Sequence, residues 1–287
     1  MSAPVSNDPV EVLAKFKTTL TQSSPGFESE VHNDGLLLRF LKARKFDVDK
    51  AKLMFDAYLA WRRDFKVDTE ILHNLKYPEY NKVMEIYPRF YHKTDKVGRP
   101  VYFEILSNLS IKQFDGGITT PERFVQYYVR EFEKTIEYRF RALSCKAGAL
   151  IDKSCTILDI KNVPIMQFPS IRKFLGQITH IAQNYYPETL GRMFIINSPV
   201  VFQGIWAVIK GMLDENTVAK ISILGTSYQR ELLETIDAEN LPVEYGGKCN
   251  CAMGCRHSDV GPWNDGTVKG YPIPFWENIN IVKEDTP

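Results

Sequence analysis

The chain has 287 residues, of which 44% are hydrophobic and 25% charged, and its formal net charge is +1. These proportions predict a folded globular protein, either one large domain with a helical annex or two small domains. The near-zero charge excludes a global basic field of the kind that attracts nucleic acid. Five cysteines are an odd number, which favours reduced thiols over a disulfide framework.

The first predicted elements are helices. Residues 1 to about 33 are polar, and the apolar spacing of residues 34–65 then predicts two successive helices, with Asp47 as the N-cap of the second. Residues 87–105 are typical of a strand, a turn at Asp95 and Gly98, and a second strand. An amphipathic helix is predicted from Pro121 to Arg141, because proline suits a first helical turn.

The remaining elements alternate and decide the fold class. Strands are predicted at 155–160, 193–199 and 221–225, with helices at 165–184 and 200–213 between them. This order predicts an α/β fold with a mostly parallel sheet covered by helices. We predict a helical N-terminal region at 1–75, the α/β domain at 76–248 and an irregular C-terminal tail at 249–287.

The cellular location of the protein is also predicted from what the sequence lacks. The N-terminal residues have no secretory signal pattern. The longest apolar stretch, residues 199–213, is too short to span a bilayer and contains Gln203 and Lys210. We therefore expect a soluble, cytoplasmic protein.

The common signatures of catalysis are missing. The sequence contains no G-x-S-x-G elbow, no G-x-G-x-x-G after a strand and no phosphate-binding G-x-x-x-x-G-K-[ST] loop. Asp159 and Glu188 lie at strand ends, as many structural acids do, and only they are candidates for hydrolytic chemistry. We predict that the protein is not an enzyme and needs no cofactor.

One cysteine-rich segment, residues 248–257, deserves comparison with metal sites. Cys249, Cys251, Cys255 and His257 offer three thiols and an imidazole, which could bind zinc. However, the spacing matches no common structural zinc site, and the alternative is a reduced, exposed tail segment. We predict no metal site here, with this set as the one alternative.

The predicted helix at 200–213 is apolar on nearly every side. Such a helix is usually buried in a core. Gly204 and Gly211 near its ends would instead suit a lid that swings open. Both interpretations stay open at the level of the sequence.

Five stretches in order resemble the CRAL-TRIO lipid-transfer family, in its fungal branch that transfers phosphatidylinositol and phosphatidylcholine. They are LLRFLKARKFD, YHKTDKVGRPVYFE, AQNYYPETLGRMFIINSP, LDENTVAKI and ENLPVEYGGK. The resemblance extends from about Asp34 to Lys248 and returns at SDVGPWND. It implies helices preceding a lipid pocket, which is floored by the sheet and closed by a gate helix at 200–213.

The resemblance implies one headgroup site for phosphatidylinositol, formed by Arg44, Glu188, Thr217 and Lys220. The chemistry suits that ligand. Arg44 and Lys220 can neutralise a phosphodiester, and Thr217 can donate a hydrogen bond to it. Glu188 can accept hydrogen bonds from inositol hydroxyls or pair with Lys220.

It also implies a phosphatidylcholine headgroup site, formed by Tyr91, Tyr102, Phe132, Ser154 and Thr156. Tyrosine faces attract a quaternary ammonium. Phe132 stands where the family pattern has a tyrosine, so it keeps an aromatic face and lacks a hydroxyl. We expect phosphatidylcholine binding that is weakened or rebalanced against other lipids.

The expected partners follow from this interpretation. They are phospholipid, a membrane surface contacted transiently at Golgi or endosomal membranes, and a phosphatidylinositol kinase, with the protein a monomer that binds no nucleic acid. Three alternatives remain: a carrier of a sterol or isoprenoid in the same fold, a hydrolase that uses Asp159 or Glu188, and a scaffold whose pocket senses lipid composition.

Overall fold

The computed structural model describes residues 8–107, 109, 116–163, 168–211 and 213–277. Two compact units share the chain: Met1–His73 with Gly176–Glu188, and Asn74–Leu175 with Thr189–Pro287. Segment 176–188 was not expected in the first unit, and the predicted boundaries at 75 and 248 stay predictions. Among the described helices, none is long and apolar enough to cross a membrane.

The helices and strands that were predicted individually appear in the predicted order, and further helices that were not predicted individually accompany them. The helices are α1 (Pro9–Ser23), α2 (Asp34–Ala43), α3 (Val48–Asp64), α4 (Tyr80–Ile86), α5 (Pro121–Lys134), α6 (Arg141–Ala147), α7 (Phe168–Tyr185), α8 (Phe202–Lys210), α9 (Glu215–Ala219), α10 (Gln229–Thr235) and α11 (Pro274–Glu277). The strands are β1 (Arg89–Thr94), β2 (Pro100–Ile105), β3 (Ser154–Asp159), β4 (Leu190–Ile196) and β5 (Ile221–Ile223). Short π-helical turns cover Val67–Ile71 and Thr135–Phe140.

Side-chain caps and aromatic packing form the first unit. The predicted N-cap Asp47 accepts a hydrogen bond from the backbone N–H of Lys50 at 3.0 Å and so starts α3. The buried ring of Phe55 on α3 lies 5.1 Å from that of Phe40 and 6.2 Å from that of Phe16, both edge-on. The two helices predicted at 34–65 are therefore confirmed as α2 and α3, and α1 packs with them.

The second unit contains one sheet with strand order β1-β2-β3-β4-β5. The β1–β2 pair is antiparallel, and the other three pairs are parallel. Asp95 makes the tight turn between β1 and β2, because its Oδ1 accepts from the backbone N–H groups of Val97 and Arg99. Gly98 supplies the positive φ of +85° that this turn needs. The predicted α/β sheet is confirmed.

The two faces of this sheet differ in how they are covered. One face, here called the sealed face, is closed by α10 and the segment that follows it. Its core consists of Phe90, Val101, Phe103, Ile105, Cys155, Ile157, Phe194, Ile196, Tyr228, Leu232, Ile236, Leu241 and Tyr245. The opposite face, here called the open face, keeps several half-exposed side chains in the middle of the sheet, including Tyr102, Leu158 and Met193.

Some predicted boundaries were wrong. The helix predicted at 200–213 is α8, only Phe202–Lys210, because residues 199–201 form a turn before it. The helix predicted to end at Arg141 continues through a π-helical turn into α6 and stops at Gly148, whose φ of +62° ends it. Part of the helix predicted at 165–184 lies outside the described residues, and the rest is α7.

The described part of the C-terminal segment, residues 249–277, consists mostly of turns and is firmly packed. Trp263 is fully buried, and its indole N–H donates to the carbonyl of Asp259 at 2.8 Å. The hydroxyl of Tyr138 donates to the carbonyl of Trp263 at 2.6 Å. Asp259 pairs with Arg139 at 3.2 Å. The described part of this tail is therefore a structural part of the second unit.

Gly247 allows a close backbone approach that no other residue permits. A Cβ atom at this position would lie 1.9 Å from the carbonyl oxygen of Leu241. We expect Gly247→Ala to lower the free energy of unfolding by about 3 kcal/mol or more, because backbone atoms cannot move aside as a flexible side chain does. Urea denaturation would measure the change.

Gly225 supplies the matched control for that experiment. A Cβ atom built there has nothing within 4 Å and no positive φ to strain it. We expect Gly225→Ala to change the free energy of unfolding by less than about 1 kcal/mol. Equal effects of the two substitutions would contradict the steric explanation.

Candidate ligand-binding site

One row of side chains crosses the open face from β1 to β5. Pairing register places them opposite one another in the order Tyr91, Tyr102, Thr156, Met193 and Ile221. Because neighbouring residues of a strand point to opposite faces, all five belong to the same face. Three residues predicted for the phosphatidylcholine headgroup are thus brought together at one end of a row whose other end is apolar.

The two tyrosines of this row form a pair of partly exposed aromatic surfaces. Their ring centroids are 4.9 Å apart and tilted by 39°. Burial raises the pKa of Tyr91 to about 12 and raises that of Tyr102 well above its usual value. Both hydroxyls therefore stay protonated at physiological pH and can donate hydrogen bonds to an acceptor such as a phosphate oxygen.

Ser154 lies one step further along β3 on the same face as Thr156. Its backbone N–H donates to the carbonyl of Thr189 at 2.8 Å, and its hydroxyl lies 3.3 Å from the same oxygen. Ser154 is half-buried and Thr156 is buried. Two hydroxyls of adjacent same-face positions thus extend the polar end of the row.

Phe132 on α5 is connected to this row through Tyr128, a second aromatic residue of the same helix. Its ring packs edge-on against that of Tyr128, with centroids 5.2 Å apart. Tyr128 in turn is hydrogen-bonded with Tyr102. A tyrosine that sequence reasoning did not single out therefore supplies a hydroxyl in this area, although Phe132 itself has none.

The next row of the open face begins with a basic and an acidic residue, both buried, that the sequence analysis did not predict as site residues. Arg89 and Glu104 lie opposite each other on β1 and β2 and are both buried. The hydroxyl of Tyr87 donates to Glu104. Burial raises the pKa of Glu104, opposed by this hydrogen bond and by the charge of Arg89. Alternation along β1 could have indicated Arg89, since it lies two residues before Tyr91.

Aromatic rings surround the Arg89 guanidinium at 4.2–5.4 Å: those of Tyr87, Phe124, Tyr127 and Tyr128. Within the described part of the chain, its Nε and Nη2 atoms have no hydrogen-bond acceptor. Such a cation is stabilised by the ring faces and keeps an unused capacity to donate to an anion. Two guanidinium atoms of Arg89 at the polar end of the open face are therefore available to an acceptor.

A second buried arginine stands beside the tyrosine pair. The Arg139 guanidinium stacks over the Tyr91 ring at 4.1 Å and forms ion pairs with Glu131 and Asp259. Thr135 bridges the two residues, since it accepts from Arg139 at 3.2 Å and is hydrogen-bonded with Tyr91. One ring face of Tyr91 is therefore occupied by Arg139.

The apolar end of the open face packs against α8. Ile160, Ile195 and Phe202 form its buried centre, and partly buried side chains surround them: Leu158, Val163, Met193, Ile205, Trp206, Ile209, Ile221 and Ile223. These side chains are apolar without being fully enclosed. The open face thus changes from hydroxyl and charged groups over β1–β3 to hydrocarbon over β3–β5.

The outer side of α8 is exposed and apolar. Val208 is 44% exposed, and Val200 and Val201, just before the helix, are 85% and 53% exposed. The interpretation of this segment as a fully buried core helix was therefore wrong. One side of α8 covers hydrocarbon, and the other offers a hydrophobic patch of the kind that contacts another apolar surface.

The four residues predicted for the inositol headgroup fall in both units. Arg44 caps the C-terminus of α2, and Glu188 lies two residues before β4 with a φ of +60°. Thr217 and Lys220 lie together at the end of α9, where the backbone N–H of Lys220 donates to the carbonyl of Thr217 at 3.1 Å. The four-residue site stays a prediction.

Asp159, one of two acids considered for hydrolysis, has a structural position. It lies on the sealed face opposite Ile105 and Ile196 and is 8% exposed. Its Oδ1 accepts from the side-chain amide of Asn197 at 2.8 Å and from the backbone N–H of Lys161 at 2.9 Å. The carboxylate therefore ties two strand ends and does not point to the open face.

The cysteine-rich segment assembles a different set of groups from the one predicted. Side chains of His92, Cys249, Cys251 and Cys255 place their ligand atoms within 4.8 Å of one another. His257 is exposed and outside this group. The expectation of an exposed segment was wrong for Cys249 and Cys255, which are buried. The histidine beside these cysteines comes from β1 and not from the nearby segment of the sequence.

Comparison with protein families identifies the class of fold. Residues 85–247 match the model of the CRAL/TRIO domain, and residues 10–57 match that of the CRAL/TRIO N-terminal domain. The crystal structure of Sfh5 covers 86% of this chain and 89% of its own, with a TM-score of 0.64 at 20% identity, and so shares the fold. The chain belongs to the CRAL/TRIO family.

The chain is also similar to individual members of this family. The chain is 48% identical to the Sec14 cytosolic factor of Schizosaccharomyces pombe, with 81% of each covered. It is 44% identical to the SEC14 cytosolic factor of Candida glabrata, over 85% of this chain and 81% of that one. It is 47% identical to the phosphatidylinositol/phosphatidylcholine transfer protein SFH4 of Arabidopsis thaliana, covering 81% of this chain but 38% of that longer protein.

Proposed function

We propose that this protein binds one phosphatidylinositol or phosphatidylcholine molecule at a time on the open face of its sheet and transfers it between membranes. The observation that carries the proposal is the change of that face from hydroxyl, aromatic and charged groups to hydrocarbon covered by α8. The Arabidopsis thaliana relative, a phosphatidylinositol/phosphatidylcholine transfer protein by name, supports the same function.

The proposed ligand orientation follows from this gradient. Acyl chains lie over β3–β5 beneath α8, and the phosphate of phosphatidylcholine lies at the polar end. There Thr156 and Tyr102 donate to it, whereas Ser154, whose hydroxyl donates to the carbonyl of Thr189, and Tyr91 border it. The Tyr91–Tyr102 pair contacts choline through an aromatic face, an interaction of about 0.5–2 kcal/mol. The inositol headgroup uses Arg44, Glu188, Thr217 and Lys220, as the family resemblance implies.

The energetics favour a carrier that discriminates by headgroup. Each buried methylene contributes about 0.8 kcal/mol, so two acyl chains dominate the affinity for both lipids. A mismatched buried polar group costs about 1–3 kcal/mol, which is enough to decide between headgroups. The protein acts without catalysis or a cofactor, because the reaction is an exchange of bound lipid.

The exposed side of α8 is the proposed membrane contact. Opening the helix in water would expose the hydrocarbon beneath it, whereas opening it against a bilayer would not. Exchange therefore takes place at the membrane surface. We place the protein in the cytoplasm as a monomer that visits Golgi or endosomal membranes and presents phosphatidylinositol to a kinase.

Native mass spectrometry of the purified chain tests the proposal. We expect phosphatidylinositol and phosphatidylcholine, each bound at one molecule per chain. A chain that carries only a sterol or an isoprenoid would support the other carrier function instead. Hydrolysis of a lipid ester by wild-type protein that is lost in Glu188→Gln would support an enzyme.

Gly204 tests the opening of α8. A Cβ atom there meets nothing within 4 Å, so Gly204→Ala fits sterically and stabilises the helix by about 1 kcal/mol. If α8 must loosen to open, we expect transfer to slow about fivefold for both lipids while the free energy of unfolding does not fall. Vesicle-to-vesicle transfer of labelled lipid measures the rate.

The reciprocal control is Ala207→Gly on the exposed side of the same helix. It loosens α8 by a similar amount and is expected to speed transfer. Wild-type transfer rates for both variants would show that α8 does not need to unfold locally during exchange.

A further inference from the structure

Three thiols and one imidazole from distant parts of the chain converge in the second unit. His92 belongs to β1, whereas Cys249, Cys251 and Cys255 follow 157 or more residues later. All four ligand atoms lie within 4.8 Å of one another, and His92 is fully buried. Because His92 neighbours Tyr91 on β1, it points to the opposite side of the sheet from the proposed lipid.

Two of the separations between ligand atoms are close to the edges of a tetrahedral zinc site. A zinc ion with Zn–S bonds of about 2.3 Å and a Zn–N bond of about 2.0–2.1 Å holds two sulfurs about 3.8 Å apart, and a sulfur and a nitrogen about 3.6 Å apart. Here the Sγ atoms of Cys249 and Cys251 are 3.9 Å apart. The Nε2 of His92 lies 3.3 Å from the Cys249 Sγ.

A hydrogen-bond relay orients the imidazole for a metal. The hydroxyl of Ser258 donates to the carbonyl of Cys255 at 2.9 Å, so it accepts from the Nδ1–H of His92 at 3.0 Å. This network assigns the proton to Nδ1 and leaves the Nε2 lone pair directed at the sulfurs. A partner on the second ring nitrogen is the usual support of a metal-binding histidine.

The backbone holds the three cysteines around one point. The backbone N–H of Cys249 donates to Leu241 at 3.0 Å, and its carbonyl accepts from Val243 at 3.0 Å. A turn then closes between Cys251 and Gly254, whose N–H donates to the Cys251 carbonyl at 2.8 Å. This turn returns the chain, so that Cys255 faces Cys249 again. The thiols are placed by main-chain bonds independent of any ion.

We propose that His92, Cys249, Cys251 and Cys255 bind one Zn²⁺ ion as a structural site. Three thiolates and one imidazole complete a tetrahedron with protein ligands, the arrangement of structural zinc rather than catalytic zinc. The ion joins β1 to the segment that leads to Asp259 and Trp263. The N–H of Lys93 on the same strand also contacts this segment, since it donates to the carbonyl of Val260 at 2.7 Å.

Elemental analysis of the full-length purified chain tests the proposal directly. We expect one zinc per chain after extensive dialysis, and visible absorption of a tetrahedral thiolate complex when Co²⁺ replaces it. Cys251→Ser removes a half-buried ligand and is expected to lower bound zinc at least about tenfold. Chelation should lower the melting temperature of the wild type and leave that of Cys251→Ser unchanged.

Matched variants separate the four proposed ligands from their neighbours. His257→Ala and Cys145→Ser alter an exposed histidine and an exposed cysteine and should retain the zinc. His92→Cys replaces the imidazole by a fourth thiol and should retain it as well, whereas His92→Ala should lose it. Retention by a folded His92→Cys protein shows that loss in His92→Ala reflects the missing ligand.

Two outcomes would overturn the proposal. One is a reduced, folded chain that holds no zinc and takes up neither Zn²⁺ nor Co²⁺. The other is a disulfide between Cys249 and Cys251 in protein purified without an oxidant, since a disulfide removes two ligands. Loss of zinc in His257→Ala with retention in His92→Ala would instead restore the ligand set that sequence proximity suggested.

Discussion

Lys220→Ala is expected to abolish most phosphatidylinositol transfer and to leave phosphatidylcholine transfer within about twofold of the wild type. A hydrogen bond to a charged group contributes about 1.5–3 kcal/mol, so its loss weakens inositol-lipid binding about 10- to 100-fold. In the proposed orientation, phosphatidylcholine uses the polar end of the open face instead. Transfer of each labelled lipid from donor to acceptor phosphatidylcholine vesicles measures the two rates separately.

The competing explanation is that Lys220 only stabilises α9. Asp214 is the N-cap of that helix. Partial burial raises the pKa of Asp214, but the hydrogen bonds from Thr217 and the charge of Lys220 outweigh it and lower this pKa. Asp214 is exposed, so the pair contributes little to stability. If stabilisation were its whole role, Lys220→Ala would reduce both activities equally. Lys146→Ala, at an exposed lysine, is the control for the loss of charge.

Leu158→Trp is expected to reduce transfer of both lipids by at least about tenfold while the protein stays folded. Leu158 is half-buried on β3, in the apolar part of the open face. An indole there takes the space of two or three methylenes of an acyl chain, at about 0.8 kcal/mol each. Both lipids share this cost, because they share the hydrocarbon. Transfer assays and circular dichroism measure activity and folding.

Ile157→Trp, at the neighbouring residue, is the matched control. Ile157 is 1% exposed on the sealed face, where no lipid is proposed. An added ring there overpacks a closed core and should cost about 1–3 kcal/mol of unfolding free energy. If Leu158→Trp were equally destabilising and left the transfer of the remaining folded protein normal, the open face would be an ordinary core and the proposed lipid position would be wrong.

The order of elements was predictable because local signals agree with the fold. Asp47 predicted the start of α3, Asp95 and Gly98 predicted the β1–β2 turn, and strand–helix alternation predicted the parallel sheet. Each signal acts within a few residues, through a cap, a turn or a hydrophobic period. The end of α8 was missed, because an apolar run does not show where a helix stops.

The candidate site was predictable only in part. Tyr91, Tyr102, Ser154 and Thr156 were named from the family resemblance, and strand register accounts for their common face. Arg89, Glu104, Tyr128 and Arg139 were missed, because part of the surroundings of each polar group comes from other elements of the fold. The position of a charged residue in a strand does not indicate by itself whether its side chain is exposed to water or buried among aromatic rings.

The sequence by itself determined the α/β class, the helices before the sheet and the membership of the family, since these follow from short-range periodicity and from ordered motifs. Only the tertiary structure decided that one face of the sheet is open, that α8 keeps an exposed apolar side, and that His92 rather than His257 joins the three cysteines. The physical reason is that strand pairing and packing bring together atoms separated by more than a hundred residues, and neither burial nor a ligand set is encoded by neighbouring residues alone.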